Sequence, residues 1–422
     1  MSDVAAHTST RDSGLRRRAA AVIPGGMYGH QSLTKFPMPD GYPQFMSRGR
    51  GAHIWDVDGN EYVDLMCSYG PVILGHHHPK VEAAARAQRS KADCQNGPSP
   101  RIVELAEALV GIVHHADWAM FAKNGCDATT MAVTIARAGT GRSKILAASG
   151  SYHGSAPWCT PWEAGITQED RSNLIYFTYN DLASAHEAAA QAGDNLAGVI
   201  VNPFRHDAPV DQELVDPEFA RGLRRLCDER DCALILDDVR CGFRLHLGSS
   251  WEPVGVDPDI SAWSKAIANG YALAAVLGND KFRGAADSIF VTGSFWFAAV
   301  SMAAALATLE AMAEEDAVQT MEARGLDLRE GLAAQAAQRG VDIRQTGPVQ
   351  MPFLTFAGDV DLSMANLFAA EAIRQGVYLH PRHNWFVSAA MSEADVERVL
   401  EATDKAFAAV CRLRDAPREG DL

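Results

Sequence analysis

Lys265 lies in ISAWSKAIANGYALAAV, where an apolar run meets a lone lysine and then a glycine-containing loop. A lysine in such company is paired, snorkels to water or reacts. Desolvation favours its neutral, nucleophilic amine. A second candidate is ALILDDV at 233–239, an apolar strand pattern ending in Asp237 and Asp238. Open α/β sheets bind ligands at such strand ends, although an acidic pair taken alone also reads as a helix cap or a solvated pair. FAKNGCDATT at 121–130 opens a helix, with Asn124, Gly125 and Cys126 at its start and Asp127 in its first turn. Free N–H groups there suit a phosphate dianion, though every helix start has them. Ser151-Tyr152-His153-Gly154 follows KILAASG and offers a ring that can lie flat on a planar cofactor.

An anion site, a stacking aromatic, a carboxylate and a lysine at strand ends of one sheet have one joint chemical reading, pyridoxal phosphate. The amine forms a Schiff base with it. The carboxylate keeps its pyridine nitrogen protonated, so that the ring accepts the electrons left when a Cα proton departs.

The elements that must position these groups alternate. From about Val103, helical periods are interleaved with the short apolar runs WAMFA, KILAA, LAGVIVN, CALILDD and ISAWSK. This predicts an α/β fold with a mainly parallel sheet covered by helices on both faces. AAVSMAAALATLEAMAEE reads as a long helix leading out of that domain. Asp58-Gly59 marks a hairpin between two alternating runs near the N-terminus. Beyond Met321, a mixture of helices and the strand-like MPFLTF and GVYLH suggests a smaller α+β domain completed by the N-terminal segment. The expected division is 1–69 as an N-terminal segment that joins the small domain and the substrate entrance, 70–320 as the large cofactor domain, and 321–422 as the small domain.

The 422 residues are 47% hydrophobic and carry a net charge of −15, with 38 basic and 53 acidic side chains. That argues against nucleic acid or an anionic membrane as partner, the sole basic run being Arg16-Arg17-Arg18. No apolar stretch approaches the roughly 20 residues that span a bilayer, and the polar start lacks a signal core, so a cytoplasmic protein is expected. The eight cysteines form no CxxC pair, and reduced thiols are expected. His76-His77-His78 sits in a turn between Gly75 and Pro79 and points in different directions, so no metal site is expected.

With those residues in view, the sequence resembles the fold-type I, class III aminotransferases, in the branch that includes glutamate-1-semialdehyde aminomutase. The resemblance covers most of the chain. It rests on IPGG at 23–26, WDVDGNEYVDL at 55–65, LGHHHP at 74–79, NGCDA at 124–128, SYHG at 151–154, LDDV at 236–239, the SK pair at 264–265 and TGS at 292–294. NPFRH, DDVRCGFR, FVTGSFWF and HPRHNWF look most similar to fumonisin-type long-chain amine transaminases. The resemblance implies a seven-stranded-type, mainly parallel sheet flanked by helices. It also implies Lys265 as the Schiff-base lysine, Asp237 as partner of the pyridine nitrogen, Tyr152 stacked on the ring and Val239 on its opposite face. Gly125 and Cys126 would bind phosphate through the backbone. A Gly-Thr pair from a neighbouring subunit completes that site in the family; Gly293-Ser294 stands there, which implies a homodimer with active sites at the interface.

Three departures from the family pattern stand out. Asn202 in VIVNPF replaces a usual glutamate near the ring hydroxyl, Asp238 shortens a usual glutamate, and MYGHQSL lacks the arginine found after the proline-glycine turn in related β-amino-acid transaminases. Without that carboxylate clamp, a primary amine is the expected donor and a keto acid such as pyruvate the acceptor. Arg382 is the first candidate to hold the acceptor's carboxylate, with Arg205 and Arg240 behind it. Tyr28, His30, Tyr69, Trp158 and Phe295 are candidate pocket walls, each also readable as core packing. A β-amino-acid transaminase using Arg382, an intramolecular aminomutase, and an inactive ligand-binding module are the rival readings. The module would be expected to lack the lysine.

Overall fold

The computed structural model describes residues 10–206 and 209–415. The described residues divide into two compact units, one within 70–74 and 78–319, the other within 10–69, 75–77 and 320–415.

The larger unit is built on a seven-stranded sheet: β1 (Trp118–Ala122), β2 (Lys144–Ala148), β3 (Leu174–Phe177), β4 (Leu196–Val201), β5 (Ala233–Asp237), β6 (Ile260–Trp263) and β7 (Ala274–Gly278), in the order β1-β7-β6-β5-β4-β2-β3. Pairing is parallel from β6 through β5, β4 and β2 to β3, whereas β7 runs antiparallel to both of its neighbours. The central strands are buried on both faces and therefore read as unbroken apolar runs. Their alternating side chains feed two cores. Leu146, Val199, Val201, Leu234 and Leu236 join Phe219, Leu223 and Trp251 on one side. Ile145, Ile200, Ile235 and Ala262 meet Met131, Ala132, Ile135 and Phe282 on the other.

Helix α1 (Gly125–Thr140) covers the second face. It buries Ala128, Met131, Ala132, Ile135 and Ala136, the i, i+3, i+4, i+7 stripe of an amphipathic helix, and stops at Gly141 in the left-handed conformation. Helices α2 (Leu182–Ala192) and α3 (Pro217–Glu229) cover the first face, each started by an aspartate whose side chain accepts a backbone N–H, Asp181 from Ser184 and Asp216 from Glu218. The expected Ala-rich helix is α4 (Ala299–Glu314), which is buried almost all round.

In the smaller unit the hairpin expected at Asp58-Gly59 joins strands His53–Asp56 and Glu61–Asp64 within a four-stranded sheet that also takes Met46–Arg50 and Val377–Tyr378. MPFLTF supplies the strand Phe353–Phe356, paired with Ile343–Thr346. Helices Ser363–Arg374 and Glu393–Arg414 pack on one another around Phe368 and Phe407, whose ring centroids are 4.9 Å apart. Among the described residues no helix is long and apolar enough to cross a membrane.

Candidate functional site

Five of the parallel strands deliver a chemical group just beyond their C-terminal ends. After β1 come Asn124, Gly125 and Cys126; after β2, Tyr152 and His153; after β4, Asn202; at the end of β5, Asp237; after β6, Lys265. All of them line one cavity of about 240 Å³, together with Val239, His206 and Arg240.

Lys265 opens a short 3-10 turn, Lys265–Ala268, with φ of 49°, in the left-handed region that non-glycine residues avoid. The loop is pinned at both ends. Ser264 donates to the Leu273 carbonyl at 2.8 Å, and Asn269 Oδ1 accepts the N–H groups of Ile73 and Leu74 at 3.0 and 2.9 Å. Loss of water around the amine, reinforced by the Arg240 charge and opposed by Asp237, lowers its pKa to about 7. At neutral pH much of this amine is the free base.

Asp237 is buried. The Nδ1–H of His153 donates to its Oδ2 at 2.7 Å, and the Val239 N–H donates to its Oδ1 at 3.2 Å. His153 is itself held, its carbonyl accepting from the Thr129 hydroxyl at 2.7 Å and its ring stacked on Trp158 at 6.4 Å. The neighbouring Asp238 plays a different part. It turns away to Ser250, whose N–H lies at 3.1 Å and whose hydroxyl also donates to it, and burial raises its pKa to about 7. Of the acidic pair, Asp237 therefore faces the cavity and Asp238 supports the loop.

At the start of α1 the first N–H groups have no partner within the helix, while Asp127 accepts the Asn124 N–H at 2.9 Å and fixes the entry of the chain. Gly125 is required by close approach, since a methyl group there would lie 2.5 Å from Val239 Cγ1. Gly154, with φ of 125°, leaves 2.7 Å between an added Cβ and the Cys126 sulfur. That sulfur accepts from the N–H groups of Ser155 and Ala156 at 3.3 and 3.1 Å. A hydrogen bond from Cys159, with those N–H groups, brings the Cys126 pKa to about 6 against the effect of burial. Tyr152 stays 43% exposed, so its ring is available to a flat ligand. The donor set fits pyridoxal phosphate. A helix start, an anchored carboxylate, an open aromatic ring and a desolvated amine answer its phosphate, ring nitrogen, ring face and carbonyl carbon.

The remaining sequence candidates lie elsewhere. Trp158 backs His153 and donates to Thr130 Oγ1 at 3.0 Å without lining the cavity. Ser294 and Phe295 sit on an exposed segment, where the Lys123 ammonium lies 5.8 Å from the Phe295 ring centroid. In the smaller unit His30 packs edge-on against Tyr69 at 4.4 Å, and Tyr69 against His383 at 5.2 Å; burial raises the Tyr69 pKa to about 12. Tyr28 is 78% exposed. Arg382 donates to the Pro37 carbonyl. Arg205 pairs with Glu213 at 3.1 Å and donates to the Asp211 carbonyl. Of the three arginines weighed as carboxylate anchors, Arg240 is the one that lines the cavity. Sequence reasoning missed His153 as the holder of Asp237 and missed His206 altogether. His76 and His78 each hydrogen-bond one carboxylate, of Asp64 and of Glu315.

Residues 38–406 match the family described as aminotransferase class-III. An aminopentol aminotransferase of Sphingopyxis macrogoltabida is 51% identical over 403 residues, covering 96% of this chain and 95% of that protein. A glutamate-1-semialdehyde 2,1-aminomutase of Desulfatibacillum aliphaticivorans is 32% identical, covering 93% and 97%. The solved structure of the PLP internal aldimine form of the FumI protein of Sphingopyxis sp. MTA144 superposes with a TM-score of 0.95 at 50% identity, over 97% of this chain and 98% of that one. The chain belongs to the class-III aminotransferases, enzymes that depend on pyridoxal phosphate.

Proposed function

We propose that this enzyme moves the amino group of a long-chain, hydroxyl-bearing primary amine to a keto acid such as pyruvate, with Lys265 as the residue that carries the cofactor. The observation that carries the reading is the Lys265 amine, brought to a pKa of about 7 in the cavity that also holds Asp237, Tyr152 and the start of α1. The donor class rests on the relative named for an aminopentol and on the absence of an arginine from MYGHQSL.

When bound, pyridoxal phosphate supplies a carbonyl carbon that takes up the amine and a ring that accepts the electrons of the breaking Cα–H bond. The Gly125 and Cys126 N–H groups hold its phosphate at the positive end of α1. Asp237, fixed by His153, keeps a proton on the ring nitrogen, and Tyr152 and Val239 hold the two faces. Lys265 Nζ would hold the cofactor's carbonyl carbon in the resting enzyme and, as the free amine, would take up and give back the proton of the substrate Cα. A group poised near neutrality serves both directions of that transfer. Ser294 on its exposed segment would complete the phosphate site of a neighbouring copy in a homodimer.

The test is a half-reaction. The yellow enzyme is mixed with a long-chain amino alcohol and no keto acid, and the visible band of the lysine-bound cofactor is followed. The band is expected to disappear and to return on adding pyruvate. A band that responds to β-amino acids alone makes the enzyme a β-amino-acid transaminase. One that responds to an aminoaldehyde without needing an acceptor makes it a mutase.

A further inference from the structure

His206 is a buried polar group that none of the roles above uses. It is 3% exposed and lines the cofactor cavity, and among the described residues neither of its ring nitrogens makes a hydrogen bond to another residue. The aromatic ring it packs against is apolar, that of Phe204 at 5.3 Å. A buried imidazole that no other described residue engages is costly to leave so, and its place in the cavity wall suits a contact with a ligand atom.

The chemistry of the cofactor limits which atom that is. Pyridoxal phosphate presents four polar points: the phosphate, the ring nitrogen, the carbonyl carbon and the hydroxyl on C3. The start of α1, Asp237 and Lys265 answer the first three. The C3 oxygen is left over. It is attached next to the carbon bearing the carbonyl, so its protein partner must lie close to Lys265. His206 meets that condition in lining the same cavity as Lys265 and Arg240, and burial, with the Arg240 charge beside it, holds its imidazole neutral. A neutral imidazole gives the oxygen one N–H donor, and Arg240 adds positive charge. Among the described lining residues the single carboxylate is Asp237, and Asn202 stands at the end of β4.

We propose that His206, with Arg240 beside it, holds the C3 oxygen of the cofactor ring as an anion, so that this chain meets that oxygen with a donor and a cation and with no carboxylate. The inference rests on the reading of Lys265 and Asp237 given above. It makes His206 a binding residue whose effect is seen in the resting enzyme before any substrate arrives.

The test uses pyridoxamine 5′-phosphate and its 3-deoxy analogue, neither of which bonds covalently to Lys265. Their affinities for the full-length protein, freed of cofactor, are measured by equilibrium dialysis. Wild-type protein is expected to bind pyridoxamine 5′-phosphate about tenfold or more tighter than the deoxy compound, as befits a buried hydrogen bond to an anion. His206→Leu is expected to bind the two equally, and His206→Gln, which keeps a donor, to restore part of the preference. In the reloaded variants the visible band should move from the form with an ionised ring oxygen to the protonated form in His206→Leu, and less so in His206→Gln. A His206→Leu protein that keeps the full preference, or one that loses affinity for both compounds alike, overturns the proposal. Wild-type protein that binds neither compound would instead overturn the reading of the site as a whole. An unchanged melting temperature separates loss of the contact from loss of the fold.

Discussion

At the residue scale, Lys265 combines two costs that a purely structural lysine would not carry. Its backbone is in the left-handed region, of order 1–3 kcal/mol for a non-glycine residue, and its amine is stripped of water. The lowered pKa has a direct consequence. Below about 7 the amine is protonated and cannot attack a carbonyl; above it the amine is free. The rate at which cofactor-free protein turns yellow on adding pyridoxal phosphate should therefore rise with pH through about 7 and then level off. A rate that keeps climbing toward the ordinary lysine value of 10.5 would show the amine to be solvated. Because Arg240 is the largest charge lowering this pKa, Arg240→Gln should move the midpoint upward. Asp237 permits a second prediction. If Asp237 faces the ring nitrogen as proposed, Asp237→Asn keeps the shape and loses that charge, an interaction whose removal costs about 3–5 kcal/mol when buried. The turnover number should fall roughly a thousandfold while the protein stays coloured. A loss below about tenfold would deny Asp237 that role. These two residues were legible because an apolar run ending in a charge is a local signal. His206 was not, since its meaning comes from β4, β5 and β6 closing around it, which no short motif records.

At the element scale, the site depends on how α1 begins. The helix starts so close to the loop after β5 that only hydrogen fits on Gly125, and Asn124, Gly125 and Cys126 line the cavity there. Gly125→Ala must push α1 or Val239 aside. Cofactor affinity, measured by dialysis with pyridoxamine 5′-phosphate, should weaken about tenfold or more, in line with the 1–3 kcal/mol typical of overpacking. Unchanged affinity in the Gly125→Ala protein would show that the helix start does not hold the phosphate. The sheet itself was readable wherever strands are wholly apolar, as in β4 and β5. Two strands gave no such signal. β3 is a half-exposed edge with Tyr176 51% exposed, and β7, AAVLG, is too rich in alanine and glycine to show strand propensity. β7 is also the strand that runs against the rest, a reversal that alternation of helices and strands does not forecast.

At the scale of the whole molecule, the segment around Ser294 is where the proposed homodimer can be tested. Phe290, Phe295 and Phe297 are 92%, 61% and 45% exposed, three apolar rings close together in the chain, of the kind that marks an association surface. Ser294 lies among them and does not line the cavity of its own chain. If it serves the phosphate site of a neighbour, two separately inactive chains should repair one another. Lys265→Ala removes the amine but leaves Ser294 intact. Ser294→Glu leaves the amine but sets a negative charge against the phosphate of the neighbouring site. In a mixed dimer, the site on the Ser294→Glu chain has its own Lys265 and receives an unaltered Ser294 from the partner, so it is whole. Random exchange makes half of the dimers mixed, each with one good site of two, and about a quarter of wild-type activity should return. Each variant alone should stay inactive. If Ser294 served its own chain, no pairing would produce a whole site, and activity after mixing and exchange would remain at the level of the separate variants.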